Sequence, residues 1–106
     1  MIIKMNEFGT SLVTRVSGRR AYDEIMASTD NLTEKPTFDF EGVETVTNSF
    51  ADEVFGRIAL ERGLDGMRES TSFVNIRPFW ARVVRNAINN RAAEFEAAIA
   101  QRPISV

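Results

Sequence analysis

Between Thr37 and Arg62 the apolar residues change their period, and that change constrains the fold more than any other feature of the chain. Phe38 and Phe40 alternate with Thr37, Asp39 and Glu41, which puts both rings on one face of a strand. Gly42 makes a corner, and Val43 and Val46 carry the apolar pattern onward. From Ser49 the spacing becomes helical: Phe50, Val54 and Ile58 form one row, and Ala51, Phe55 and Ala59 the next. The helix is predicted over Ser49 to about Arg62. Gly63 suits a left-handed position after its end, and Arg57 and Arg62 complement the negative end of its dipole.

The flanking segments repeat the alternation. Ile2–Met5 reads as a strand, and Phe8–Val13 as a turn with a short second strand. Ser17-Gly18 is placed to cap a helix to about Ala27, with Ala21, Tyr22, Ile25 and Met26 on its apolar face, and Ser28–Asn31 are turn formers. Ser72–Ile76 is a further strand. Pro78 opens a last helix to about Gln101, ahead of Pro103, with a buried stripe of Trp80, Val83, Val84, Ala87, Ile88, Phe95 and Ile99. Strands alternating with helices predict one small α/β domain over 1–106: about three helices on a sheet of about four strands, mainly parallel or mixed.

Composition narrows the chemistry. The chain has 106 residues, no Cys and no His, so thiol nucleophiles, imidazole bases and Cys/His zinc sites are excluded. A net charge of −2 gives no general attraction to nucleic acid. There is no phosphate-binding loop or dinucleotide fingerprint. No apolar run approaches the ~20 residues of a membrane span, and no secretory signal opens the chain, so a cytoplasmic location is expected.

The residues that attract a functional reading surround the helix start. Ser49, followed by Asp52 and Glu53, is placed as a helix cap with acids in the positive first turn. The same position would present an added phosphate to backbone donors, although Asp52 and Glu53 would repel it. Asp52 and Glu53 diverge by about 100° on a helix, which argues against a paired-carboxylate hydrolase. Asp39, between two Phe, is read as ordering the following loop. Phe50 is expected in the core; exposed, it would make the helix mouth an apolar docking point. Phe79 falls outside the buried stripe. Five acids and no base lie between Asp39 and Glu53, while Arg77 to Arg91 holds four arginines and no acid. Arg82, Arg85 and Asn89 share one helix face.

The run DFEGVETVTNSF, Asp39 to Phe50, resembles the central motif of STAS domains, the fold of bacterial anti-sigma-factor antagonists. Asp39, Phe40, Gly42, Val43 and Val46 match it without a gap. Thr47 then replaces the motif aspartate, Asn48 stands at the phosphoacceptor serine, Ser49 at the second serine, and Phe50 at the glycine. NSFADE, with FG near the N-terminus and NI before the last helix, is still more similar to the STAS-like family of unknown function, over roughly Phe8 to Arg91. The resemblance implies a non-enzymatic partner-switching module without cofactor or metal, whose partner is a protein such as a histidine-kinase-like ATPase. It places partner contacts at Asp39, Asn48, Ser49, Phe50, Asp52 and Glu53, with Ser49 as the candidate phosphoacceptor. The alternatives are a scaffold subunit with no switching role and a nucleotide- or small-ligand-binding domain.

Overall fold

A computed structural model describes residues 1–101. Its elements follow the order β1 (Ile2–Lys4), a 3-10 turn (Met5–Phe8), β2 (Ser11–Leu12), α1 (Arg15–Ser28), β3 (Thr37–Asp39), β4 (Thr45–Val46), α2 (Asn48–Ala51), a π-helical turn (Asp52–Gly56), α3 (Arg57–Ser70), β5 (Ser72–Val74) and α4 (Pro78–Ala100). Pro103, expected to stop the last helix, lies outside the described residues.

All strand pairs are parallel, but the strands form two sheets where one of about four strands was expected. β3 lies between β1 and β5, and β2 pairs with β4. The same two chain segments therefore pair twice, as β1 with β3 and then as β2 with β4. The 3-10 turn on one segment and the Gly42 corner, at φ 80°, on the other interrupt the ladder between them. Ile3, Phe38 and Phe73 align across the larger sheet.

The predicted helical rows are the core. Phe50, Val54 and Ile58 are fully buried, as are Ala51, Phe55 and Ala59. Phe55 meets Phe38 edge-on at 5.1 Å and Phe73 at 5.2 Å, with Phe40 at 5.9 Å. α1 packs alongside. Its Tyr22 hydroxyl donates to Glu61 at 2.6 Å under the Arg57 guanidinium, 4.3 Å above the ring. Burial and the Glu61 carboxylate push that hydroxyl up to about 12.

Several boundaries differ from the sequence reading. α1 starts earlier, because Thr14 caps it by accepting from the Ser17 N–H at 3.1 Å. Gly18 lies inside the helix, where a Cβ would come within 2.8 Å of Glu53 Cβ and 3.2 Å of the Phe50 carbonyl. The central helix does not end at Arg62. It bends at Gly63, whose φ of 73° and ψ of 177° are non-helical, and continues to Ser70. β5 stops at Val74, before Ile76. On α4 the stripe of Val84, Ala87 and Ile88 is buried, whereas Trp80, Val83 and Phe95 are half-buried and Ile99 is 41% exposed. α4 outruns the rest of the core at that end. Phe79 is exposed, as expected. No described helix is long and apolar enough to cross a membrane.

Candidate functional site

The mouth of α2 follows directly from the end of β4. Thr47, not Ser49, is its cap: the Thr47 Oγ1 accepts from the Phe50 N–H at 3.2 Å and donates to the Val13 carbonyl beyond β2. One hydroxyl thereby fastens the helix start to the neighbouring segment. Asn48 and Ser49 become the first two helical residues. Asn48 is exposed and Ser49 half-buried. Phe50 is 0% exposed, so it supports the mouth from below and offers no surface to a partner.

Asp52 and Glu53 lie on the π-helical turn, and their charges are already engaged. Arg91 of α4 grips Asp52 with two bonds, Nε to Oδ1 at 2.7 Å and Nη2 to Oδ2 at 2.8 Å. Arg15 of α1 donates from Nη1 to Asp52 at 2.8 Å and to Glu53 at 3.2 Å. A single guanidinium spans the two carboxylates, so the divergence expected of adjacent helical side chains does not separate them here. The repulsion these acids were expected to exert on a phosphate is largely offset. Their role is to tie α1 and α4 to the turn. Gly56 makes room for this: a Cβ there would stand 2.8 Å from Asp52 Oδ1 and 3.0 Å from Arg91 Cγ.

The Arg91 and Arg15 guanidinium groups hold the Asp52 carboxyl at about 2, below its ordinary 3.8. A carboxylate depressed on folding adds stability above its unfolded pKa and loses it as pH falls through the folded one. Asp52→Asn should therefore have a lower urea midpoint than the parent, by an amount constant above about pH 5. That gap should close as pH falls from about 4 towards 2, where the parent protonates the same group. Urea unfolding of both proteins across this range checks it, and a gap that does not change with pH would remove Asp52 from the network.

Asp39 is where the sequence placed it functionally in the bland sense. Its Oδ1 accepts from the Asn75 side chain at 2.9 Å and from the Glu41 N–H at 3.0 Å, joining the ends of β3 and β5. These bonds, the one from Asn75 foremost, hold its carboxyl below the usual carboxylate range. Asp39 is thus a loop-ordering residue. Phe50, fully buried, does not belong to the surface at the helix mouth.

That surface includes residues the sequence reading missed. A polar groove of about 500 Å3 is lined by Asn48, Arg15 and Asp52 together with Asn86 and Asn90 of α4. Arg91 could have been found, because an arginine in line with Val84, Ala87 and Ile88 demands a buried partner. Asn86 and Asn90 carry no such signal. Among the described residues no cluster of three or more acids could hold a metal ion. The arrangement offers amide donors and acceptors and one cation. Ser49 has no imidazole to activate it, and the nearest acids are held by arginine.

In comparison with known families, residues 17–78 match the model of a family described as a STAS-like domain of unknown function, which is more than half of the chain. No protein of curated function and no solved structure matches it.

Proposed function

The chain belongs to the family of STAS-like domains of unknown function, and from that premise we propose that it is a non-enzymatic, cytoplasmic protein-binding module that docks through the mouth of α2. The observation carrying this reading is the exposure of Asn48, at the position the resemblance gives to the phosphoacceptor, on the rim of an open polar groove. Beneath it, Phe50 and the Thr47 cap fix the backbone. A rigid scaffold presenting exposed polar side chains lowers the entropic cost of association.

Asn48, Ser49, Arg15, Asn86 and Asn90 form the contact surface. Phe79 and Val83 lie on the α4 row that continues to Asn86 and Asn90, and Phe79, 62% exposed, supplies an apolar anchor. Asp52 and Glu53 act from behind, by holding Arg15. The partner is a histidine-kinase-like ATPase. Asn48 accepts no phosphate at the position the resemblance gives to the phosphoacceptor, and Ser49, one residue on, is the hydroxyl left for phosphorylation.

Binding titrations against purified histidine-kinase-like ATPases test this. Asn48→Arg and Ser49→Asp should each weaken the complex about a hundredfold, by placing an unmatched charge in the contact, while melting as the parent does. Unchanged affinity in both would move the contact elsewhere. Failure of every such ATPase to bind the parent would discard that class of partner. The isolated chain should leave a panel of nucleotides unconsumed, and chain-dependent product would overturn the non-enzymatic reading.

A further inference from the structure

A second groove lies on the other flank of α4, and its character is different. It encloses about 500 Å3 between the part of α3 that follows Gly63, the strand β5 and the first half of α4. Its floor is apolar: Met67, Phe73, Ile76, Val84 and Ile88. Phe73 and Ile76 are only half-buried, because the groove leaves one side of each uncovered. Thr71 also faces it, but its hydroxyl is turned onto the Met67 carbonyl at 2.6 Å and adds no free donor.

Two cations stand on the lining, Arg68 from α3 and Arg85 from α4. Both are exposed, and neither forms an ion pair among the described residues, in contrast to Arg15, Arg57 and Arg91. The bend at Gly63 shapes this site by carrying the last turns of α3 off the earlier axis. The volume falls within the roughly 300–1,000 Å3 of small-molecule sites. An apolar floor with free arginines along it is complementary to a molecule with a hydrocarbon body and one anionic end.

We propose that this groove binds a free medium-chain fatty acid, its alkyl chain on the Phe73–Ile88 floor and its carboxylate at Arg68 and Arg85. The carboxylate gains charge-assisted hydrogen bonds from guanidinium groups that form no ion pair among the described residues, and the chain covers aromatic and aliphatic surface otherwise left to water. The site is independent of the docking surface at Asn48, which faces the opposite row of α4.

Amide and methyl shifts of the full chain titrated with decanoate, below its micelle concentration, provide the test. Saturable shifts centred on Met67, Phe73 and Ile88 are expected. Arg68→Gln/Arg85→Gln should weaken decanoate binding about tenfold or more, and decanol, which lacks the anion, should bind the parent about tenfold or more weakly than decanoate. Ala81→Phe, which fills the groove from α4, should abolish the shifts while the chain stays folded. Equal affinity for decanoate and decanol, an unaltered affinity in either variant, or shifts spread over the whole chain would overturn the proposal. The arginine variant changes only exposed residues, so its melting temperature separates a binding loss from a folding loss.

Discussion

Phe55→Ala should lower the melting temperature by roughly 12 °C or more, the largest single effect expected outside the backbone. Phe55 is completely buried and is the ring on which Phe38, Phe40 and Phe73 converge. Removing a buried phenyl group typically costs about 3–5 kcal/mol, and each kcal/mol shifts the melting point of a domain near this size by about 4 °C or more. The surroundings have little freedom to collapse. Two of the partner rings come from hydrogen-bonded strands, and Phe55 itself sits on a turn anchored by the Asp52–Arg91 pair. Phe55→Leu should retain about half of the lost stability, because it restores volume without the edge-to-face contacts. A thermal melt of Phe55→Ala within a few degrees of the parent would mean that this aromatic cluster is not the core.

Gly63→Ala is the second large effect, at about 2–4 kcal/mol, and it has two separable causes. The φ of 73° with ψ of 177° belongs to a region that residues with a Cβ rarely occupy. The new methyl group would also meet the Phe95 ring at 2.5 Å. Phe95 is half-buried, so its ring can move and relieve part of the clash. On a Phe95→Ala background the clash disappears and only the backbone strain remains, so Gly63→Ala should cost less there than in the parent. Urea unfolding of the four proteins in this cycle separates the two causes. Equal stability of Gly63→Ala and parent would show that the helix runs straight through this position.

How much of this was legible in the sequence depended on how local each cause is. Phe38 and Phe40 on one strand face, the rows through Phe50 and Phe55, and the exposed Phe79 follow from periodicity, which reflects the geometry of a single element. The loop-ordering role of Asp39 was also readable, since one of its two bonds spans only two residues. The motif from Asp39 to Phe50 pointed to the family that residues 17–78 match.

The remaining features depend on atoms far away along the chain. Thr, Asn and Ser stood together at the helix start, and any of them could cap it. Thr47 does so because its hydroxyl also reaches Val13, 34 residues away. The sheet divides in two because the turn after β1 and the corner after β3 fall opposite each other, which neither segment specifies alone. Asp52 meets Arg91 across 39 residues, and the π-helical turn beneath them has no marker in the apolar rows. Gly63 was recognisable as a break, but the resumption of the helix beyond it, with the Phe95 ring packed against Gly63, was not. The sequence by itself determined which residues of β3 and of the central helix face the core, because a repeating pattern needs only its own backbone. Tertiary structure decided which polar groups become cap, tether or open surface, because hydrogen bonds and ion pairs are settled by whichever partner the fold brings within reach.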